Sequence, residues 1–190
     1  MLKPWRTLRK KALGDFHIFS LRSEEKLSPR TNQPHEFFII DCVHWVNVVA
    51  VTPDDHLVMV EQFRHGSNTV ELEIPGGTMD AKDASPVATG VRELQEETGY
   101  AGEQPQVIGQ VFSNPAIMSN TTYTVLVRNC RLEHEVELDS GEDLVTRLVP
   151  MADIPDLVVN GKIRHSLVVV ALFHFDLWKR RPSDMTPGTL

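Results

Sequence analysis

GGTMDAKDASPVATGVRELQEETGY, residues Gly76 to Tyr100, is the stretch from which the rest of the chain is read. Its second half predicts a helix. Ser85 is a residue type that caps helix N-termini, Pro86 suits the first turn, and Gly99 can close the C-terminus. Between them, Val87, Val91, Leu94 and Thr98 fall in one arc at about 100° per residue and are expected to face a core. Glu93, Glu96 and Glu97 fall on the opposite side, spaced i, i+3, i+4. Three carboxylates on one helix face repel one another. A hard divalent cation, Mg²⁺ or Mn²⁺, takes oxygen ligands and offsets that repulsion. The alternative is a solvated acidic face made tolerable by Arg92 pairing with Glu96 one turn on.

The residues just upstream shift the balance toward a site. Glu71-Leu72-Glu73-Ile74-Pro75-Gly76-Gly77 places a short strand and a Gly-Gly turn before the helix. Such a turn lets backbone carbonyls and amides come close to a ligand. Arg92-Glu93-Leu94-Gln95-Glu96-Glu97-Thr98-Gly99-Tyr100 resembles the R-E-U-x-E-E-x-G-U half of the Nudix box, with U apolar or aromatic, and Gly77 resembles its opening glycine. The spacing departs from the family's G-x5-E-x7-R-E by one residue. Counted forward from Gly77 the upstream acid is Asp83; counted back from Arg92 the position is Ala84. This reads as a one-residue loop insertion, with Asp83 in place of the usual Glu.

The resemblance implies an α/β fold, the Nudix α/β/α sandwich with a mixed sheet, over roughly residues 40–180, with a small N-terminal β subdomain. It implies hydrolysis of a nucleoside diphosphate linked to another group. Two or more Mg²⁺ ions (Mn²⁺ as the substitute) would be held by Glu93, Glu96, Glu97 and the Gly76 carbonyl. Arg92 would orient the glutamates, and Gly77 would lie beside the substrate.

The flanking chain sorts the family further. Phe16–Arg22 and Phe37–Cys42 read as two strands after a basic, irregular start over residues 1–12, with the polar stretch Ser23–His35 between them. In the ADP-ribose and nucleotide-sugar pyrophosphatases, which this layout resembles, such a segment serves homodimerisation and the base side of the substrate. The other reading is a pair of added edge strands. The domains expected are therefore 1–42, 43–181 and a flexible tail, 182–190. Val46–Thr52 is a near-continuous apolar run and hence a buried strand. Leu57–Arg64 is the next strand, and it ends Gln62-Phe63-Arg64. In the resembled subgroup an arginine here lies near the diphosphate. A guanidinium can hold phosphate oxygens in pairs, so Arg64 is the candidate phosphate contact, against a plain surface salt bridge. Trp45 can stack on a base or fill a core. Pro115, about fifteen residues past Tyr100, resembles the proline that marks ADP-ribose pyrophosphatases.

Strands are expected over Gln106–Ser113 and Thr121–Cys130, then a mobile, solvated acidic loop over Glu133–Asp143, then a strand over Leu144–Val149. Related pyrophosphatases supply a catalytic glutamate from such a loop. Glu142 is the first candidate for general base, ahead of Asp139 and Glu137, with simple solubility as the alternative for each. Two helices close the chain: Met151–Asn160, stopped by Gly161, and Arg164–Arg180, whose stripe Leu167, Val168, Ala171, Leu172, Phe175 and Trp178 is core packing.

With 190 residues and a net charge of −7, the chain is long enough for a sizeable core and acidic enough to argue against nucleic-acid or anionic-membrane partners. The positive charge that an anionic substrate needs must therefore come from metal ions and a few placed arginines. Two cysteines form no disulfide framework, which points to a cytoplasmic protein, and eight histidines show no zinc spacing. The expected reaction cleaves ADP-ribose or a nucleoside diphosphate sugar. The rivals are hydrolysis of nucleoside triphosphates or dinucleoside polyphosphates, and a nucleotide sensor without catalysis. All three helix carboxylates are present, and a sensor would be expected to have lost them.

Overall fold

The computed structural model describes residues 1–181. The flexible tail expected over 182–190 lies outside the described residues. The described residues divide into two compact units, one of Met1–His44 with Phe112–Thr121, the other of Trp45–Val111 with the described residues from Thr122 onward.

The first unit holds an antiparallel meander of three strands: β1 (Arg6–Asp15), β2 (Phe19–Leu27) and β3 (Pro34–Cys42). Two strands were expected here, so β1 is a correction. The basic start of the chain becomes a strand because β2 offers it partners. Arg9 meets Glu25 at 3.7 Å and Lys10 meets Glu24 at 3.2 Å across the ladder. Phe16 precedes the strand it was expected to open, since residues 16–18 form the turn. Residues 112–121 join this unit through Ile40 N–H on the Ile117 carbonyl (2.8 Å) and Ser119 N–H on the Ile40 carbonyl (3.1 Å).

The apolar run after His44 forms the centre of the second unit. It contains β4 (Trp45–Val51), β5 (His56–Arg64), β6 (Thr69–Glu73), β7 (Gly76–Thr78), β8 (Tyr100–Phe112), β9 (Thr121–Leu132) and β10 (Leu144–Pro150). These make a seven-stranded sheet in the order β10-β5-β4-β9-β8, with β6 on β5 and β7 on β4. The sheet is mixed, since β4 runs parallel to β9 and antiparallel to β5 and β7. The Gly-Gly pair expected as a turn is instead the short strand β7. A side chain at Gly76 would collide with the Val46 carbonyl, so only glycine fits there.

Strand periodicity sends alternate residues of β4 and β5 to opposite layers. Val46, Val48, Ala50 and Val58 pack with Leu94 of α1 (Pro86–Thr98). Val49, Leu57 and Met59 pack with Ile154 of α2 (Ile154–Val159) and with Val168, Ala171 and Phe175 of α3 (Ser166–Lys179). This is the α/β/α sandwich. Among the described residues no helix is long and apolar enough to cross a membrane.

The capping residues place α1 as the sequence predicts. Ser85 Oγ accepts from Ala88 N–H at 3.2 Å, and Gly99 ends the helix at φ 72°. Its buried face keeps Leu94 and Thr98 of the predicted arc but is turned away from Val91. Thr89, Gly90, Glu93, Leu94, Glu97 and Thr98 are buried, while Val91 is exposed. Gly90 sits against Val125 and lets the helix backbone approach the sheet there. That rotation carries Glu93 and Glu97 inward and leaves Glu96 near the surface.

Candidate active site

One cleft of about 240 Å³ gathers side chains from five places in the second unit. Trp45 opens β4, and Gln62 and Arg64 end β5. Gly76, Gly77 and Thr78 are β7. Arg92, Glu93, Glu96 and Glu97 come from α1, and Glu137, Asp139 and Glu142 from the acidic segment. Of the residues singled out in the sequence, Asp83 and Pro115 are not in this lining; Asp83 lies in the segment before α1, and Pro115 lies exposed in a turn of the first unit.

The cleft wall is built from close approaches. A side chain on Gly77 would run into the Glu93 carboxylate. The Gly76 N–H donates to Glu97 Oε2 at 2.9 Å, deep in the fold. That single donor does not offset burial. Desolvation pushes Glu97 up to about 8 despite the Gly76 N–H, and Glu93 and Glu142 nearby add to the rise. Burial likewise pushes Glu93 up to about 7, against the pull of Arg92.

Arg92 is the hub of the outer rim. It donates from Nη2 to Asp83 at 2.9 Å and to the Thr78 carbonyl at 3.2 Å, and from Nη1 to Glu96 at 2.8 Å. Its Nη1 also stands 2.9 Å from Glu93. Asp83 further accepts from Thr89 Oγ1 (3.0 Å) and from Asp80 N–H (3.0 Å). Its hydrogen bonds to Arg92 outweigh burial and hold its carboxyl at about 2. The Arg92–Glu96 pair foreseen as the alternative thus exists, inside a larger network.

The acidic segment is irregular and largely exposed, but its backbone is tied down. Glu133 and His134 N–H groups donate to the Gly99 carbonyl at 3.0 Å each, and Glu137 N–H donates to the Glu96 carbonyl at 2.8 Å. These bonds satisfy carbonyls at the end of α1 and hold Glu137, Asp139 and Glu142 at the cleft. Glu142 accepts from Asp139 N–H at 3.1 Å.

Arg64 both lines the cleft and forms an ion pair. It forks onto Glu73, Nε to Oε1 at 2.8 Å and Nη2 to Oε2 at 2.9 Å. The Trp45 ring lies 5.9 Å from its guanidinium, and the indole N–H donates to Asn47 at 2.7 Å. The sequence reading missed Glu73, Gln62 and Asn47. A signal for Glu73 was present: Glu71 and Glu73 alternate with Val70 and Leu72, so two acids share one strand face.

Among the described residues no three His, Cys, Asp or Glu side chains form a ready-made metal cluster. Glu97 is turned to Gly76 N–H, and Glu93 and Glu96 to Arg92. The donor chemistry nevertheless fits a hard divalent ion. The ligating groups are all oxygens, and burial raises two of the carboxylates because too little positive charge lies beside them.

A mixed sheet between helix layers, with this glutamate-bearing helix beside a glycine strand, defines a Nudix domain, and the chain belongs to that family: the NUDIX domain model matches residues 43–168. Its relatives narrow the class. The chain is 30% identical over 133 residues to the ADP-ribose pyrophosphatase of Bacillus subtilis (strain 168), covering 70% of this chain and 71% of the relative. It is 38% identical over 122 residues to the ADP-sugar pyrophosphatase of Mus musculus, covering 56% of each. A crystal structure of ADP compounds hydrolase matches with a TM-score of 0.82 and 21% identity, over 94% of this chain and 95% of that one. At that identity the match speaks for the fold.

Proposed function

We propose that the chain hydrolyses the diphosphate bond of ADP-ribose or a nucleoside diphosphate sugar, giving a nucleoside monophosphate and a sugar phosphate. The observation that carries this reading is a single cleft combining raised, buried glutamates with a fixed arginine and an indole. The names of the two pyrophosphatase relatives supply the substrate class.

Hydrolases of this family generally use divalent metal ions. Glu93, Glu96, Glu97 and the Gly76 carbonyl would hold two or more Mg²⁺ or Mn²⁺ ions, which when bound supply charge neutralisation and an activated water. The chain's own groups do the rest. Arg64 keeps one edge on Glu73 and offers its remaining N–H donors to phosphate oxygens. Arg92 fixes the rotamers of Glu93 and Glu96. Gly77 leaves room for the Glu93 carboxylate and lies beside the substrate, and Trp45 presents its ring to the base. Glu142 takes the proton of the attacking water, with Asp139 and Glu137 beside it.

The first unit serves as a homodimer interface. Exposed Phe16, Ile18 and Phe38 in this unit support that role. A cytoplasmic location accords with both cysteines being free.

A substrate panel tests the reading: ADP-ribose, ADP-sugars, GDP-sugars, nucleoside triphosphates and dinucleoside polyphosphates, with Mg²⁺ and phosphate read out after phosphatase treatment. ADP-ribose or a nucleoside diphosphate sugar should be the best substrate, and chelation should abolish turnover without any need for Zn²⁺. Exclusive turnover of triphosphates, or full activity after exhaustive chelation, overturns it. Sedimentation at micromolar concentration tests the dimer, and an active monomer sinks it.

A further inference from the structure

We infer that Glu73 is a positioning residue for the substrate's diphosphate, acting through Arg64. This rests on the reading of the cleft given above.

The starting point is a conflict of charges. Among the residues lining the cleft, Arg64 faces glutamates on α1 and on the acidic segment, and the fields of Glu97 and Glu142 both act on it. An arginine with a free side chain would swing onto those carboxylates, neutralise the groups meant for cations, and be lost to the substrate. Glu73 prevents this. It is 2% exposed, it belongs to β6, and it takes the Nε–Nη2 edge of the guanidinium in two parallel bonds of 2.8 and 2.9 Å. A fork of this kind fixes direction as well as distance. The guanidinium edge that remains is the one left for phosphate oxygens.

Two further contacts keep the fork in place. The Trp45 ring lies 5.9 Å from the Arg64 guanidinium. On the other flank His165, just before α3, brings Nδ1 to 3.5 Å from Glu73 Oε2, and that nitrogen is buried without a hydrogen-bond partner. The neighbouring acid on the same strand face, Glu71, is locked by Arg164 through bonds of 2.8 to 3.1 Å. Strand β6 thus carries two buried carboxylates, one binding the segment before α3 and one aiming the cleft arginine. Only the second touches a residue of the cleft.

The test is a double-variant cycle on Arg64→Gln and Glu73→Gln, read as equilibrium binding of ADP in Mg²⁺ buffer at a temperature where all variants are folded. Glu73→Gln should weaken ADP on the order of tenfold, as loss of a supporting hydrogen-bond partner does at other sites. Combined with Arg64→Gln it should add nothing, because its whole effect passes through that arginine. Glu73→Asp keeps the charge but withdraws the carboxylate by one methylene. It should weaken ADP as the glutamine does, and it remains available if the glutamine variant fails to fold. In turnover the loss should fall on KM more than on kcat. Wild-type ADP affinity in Glu73→Asp, or losses that multiply in the double variant, overturns the inference while leaving the proposed reaction intact. A wild-type chain that neither binds ADP nor cleaves any compound of the panel removes both.

Discussion

Two buried glutamates, Glu24 in the first unit and Glu97 in the second, are each 3% exposed and are treated in opposite ways. Glu24 on β2 also suffers desolvation, but Arg22 at 2.8 Å, Lys26 at 3.0 Å and Lys10 at 3.2 Å more than offset it, and its carboxyl is held at about 2. Glu97 receives one backbone N–H and is pushed up to about 8. Burial alone therefore says nothing about the role of a carboxylate; its partners do. The first unit uses its acid to gather one cation from β1 and two from β2. The second keeps an acid under-compensated, at a cost in stability, where an added cation would complete it.

The comparison breaks most visibly at Glu97. Replacing it by Gln keeps shape and an acceptor for the Gly76 N–H but removes charge. Turnover of the best substrate should fall by about 10²–10⁴, the range of one key electrostatic or acid–base group. Stability in chelator at pH 7 should rise by roughly 1 kcal/mol, because folding of the variant no longer has to bury a carboxyl that is ionised in the unfolded chain. Steady-state kinetics and urea unfolding on the same preparation check both. A variant that loses activity and stability together would place Glu97 in the same class as Glu24.

Glu24→Gln should do the reverse, leaving turnover nearly unchanged and lowering stability at pH 7 by about 2 kcal/mol. A shift from 4.5 to about 2 corresponds to roughly 3 kcal/mol, less screening at the partly exposed lysines. The pH dependence has a definite sign. The folded-state pKa is depressed, so the stabilisation is complete above the unfolded value of 4.5 and is lost as pH falls toward about 2. Urea midpoints of wild type and variant should differ at pH 7 and converge below pH 4.5. A gap that stays constant down to pH 3 would show that the ion pairs around Glu24 are not what stabilises it.

The difference between the two regions also explains what could be read from the residues alone. The box helix was located to the residue because Ser85, Pro86 and Gly99 act within one turn of chain. Its inward face is legible at Leu94 and Thr98 but not in full, because Thr89 and Gly90 share the packing and apolar periodicity does not register them. Strand β1 was missed for a related reason. Its residues Arg9 and Lys10 pair with charges across the ladder, and the strand itself carries no alternation of apolar and polar residues. Arg64 could be placed from its neighbours in sequence, whereas its fork on Glu73 exists only once β6 pairs with β5.

Asp83 sharpens the comparison, because it bonds Arg92 at the rim of the cleft that holds Glu97 yet is held as Glu24 is. Its side chain is 7% exposed, fully engaged by Arg92, Thr89 and the Asp80 N–H, and kept at about 2. Those partners leave it no role as a poorly compensated acid. They make it a brace for Arg92, which in turn sets Glu93 and Glu96. The segment between β7 and α1, residues 79–85, brings the aspartate within reach of the arginine. Asp83→Asn retains one acceptor oxygen and loses the charged fork, so turnover should drop only about tenfold, as supporting changes behind a ligand often do. Measured beside Glu97→Gln at saturating Mg²⁺, with folding checked by circular dichroism, the two should differ by at least about tenfold. If Asp83→Asn is dead while Glu97→Gln stays near wild type, the loop acid is the ligand and the helix carboxylate is the brace. Under-compensation would then have failed as a guide to which buried acids do chemistry.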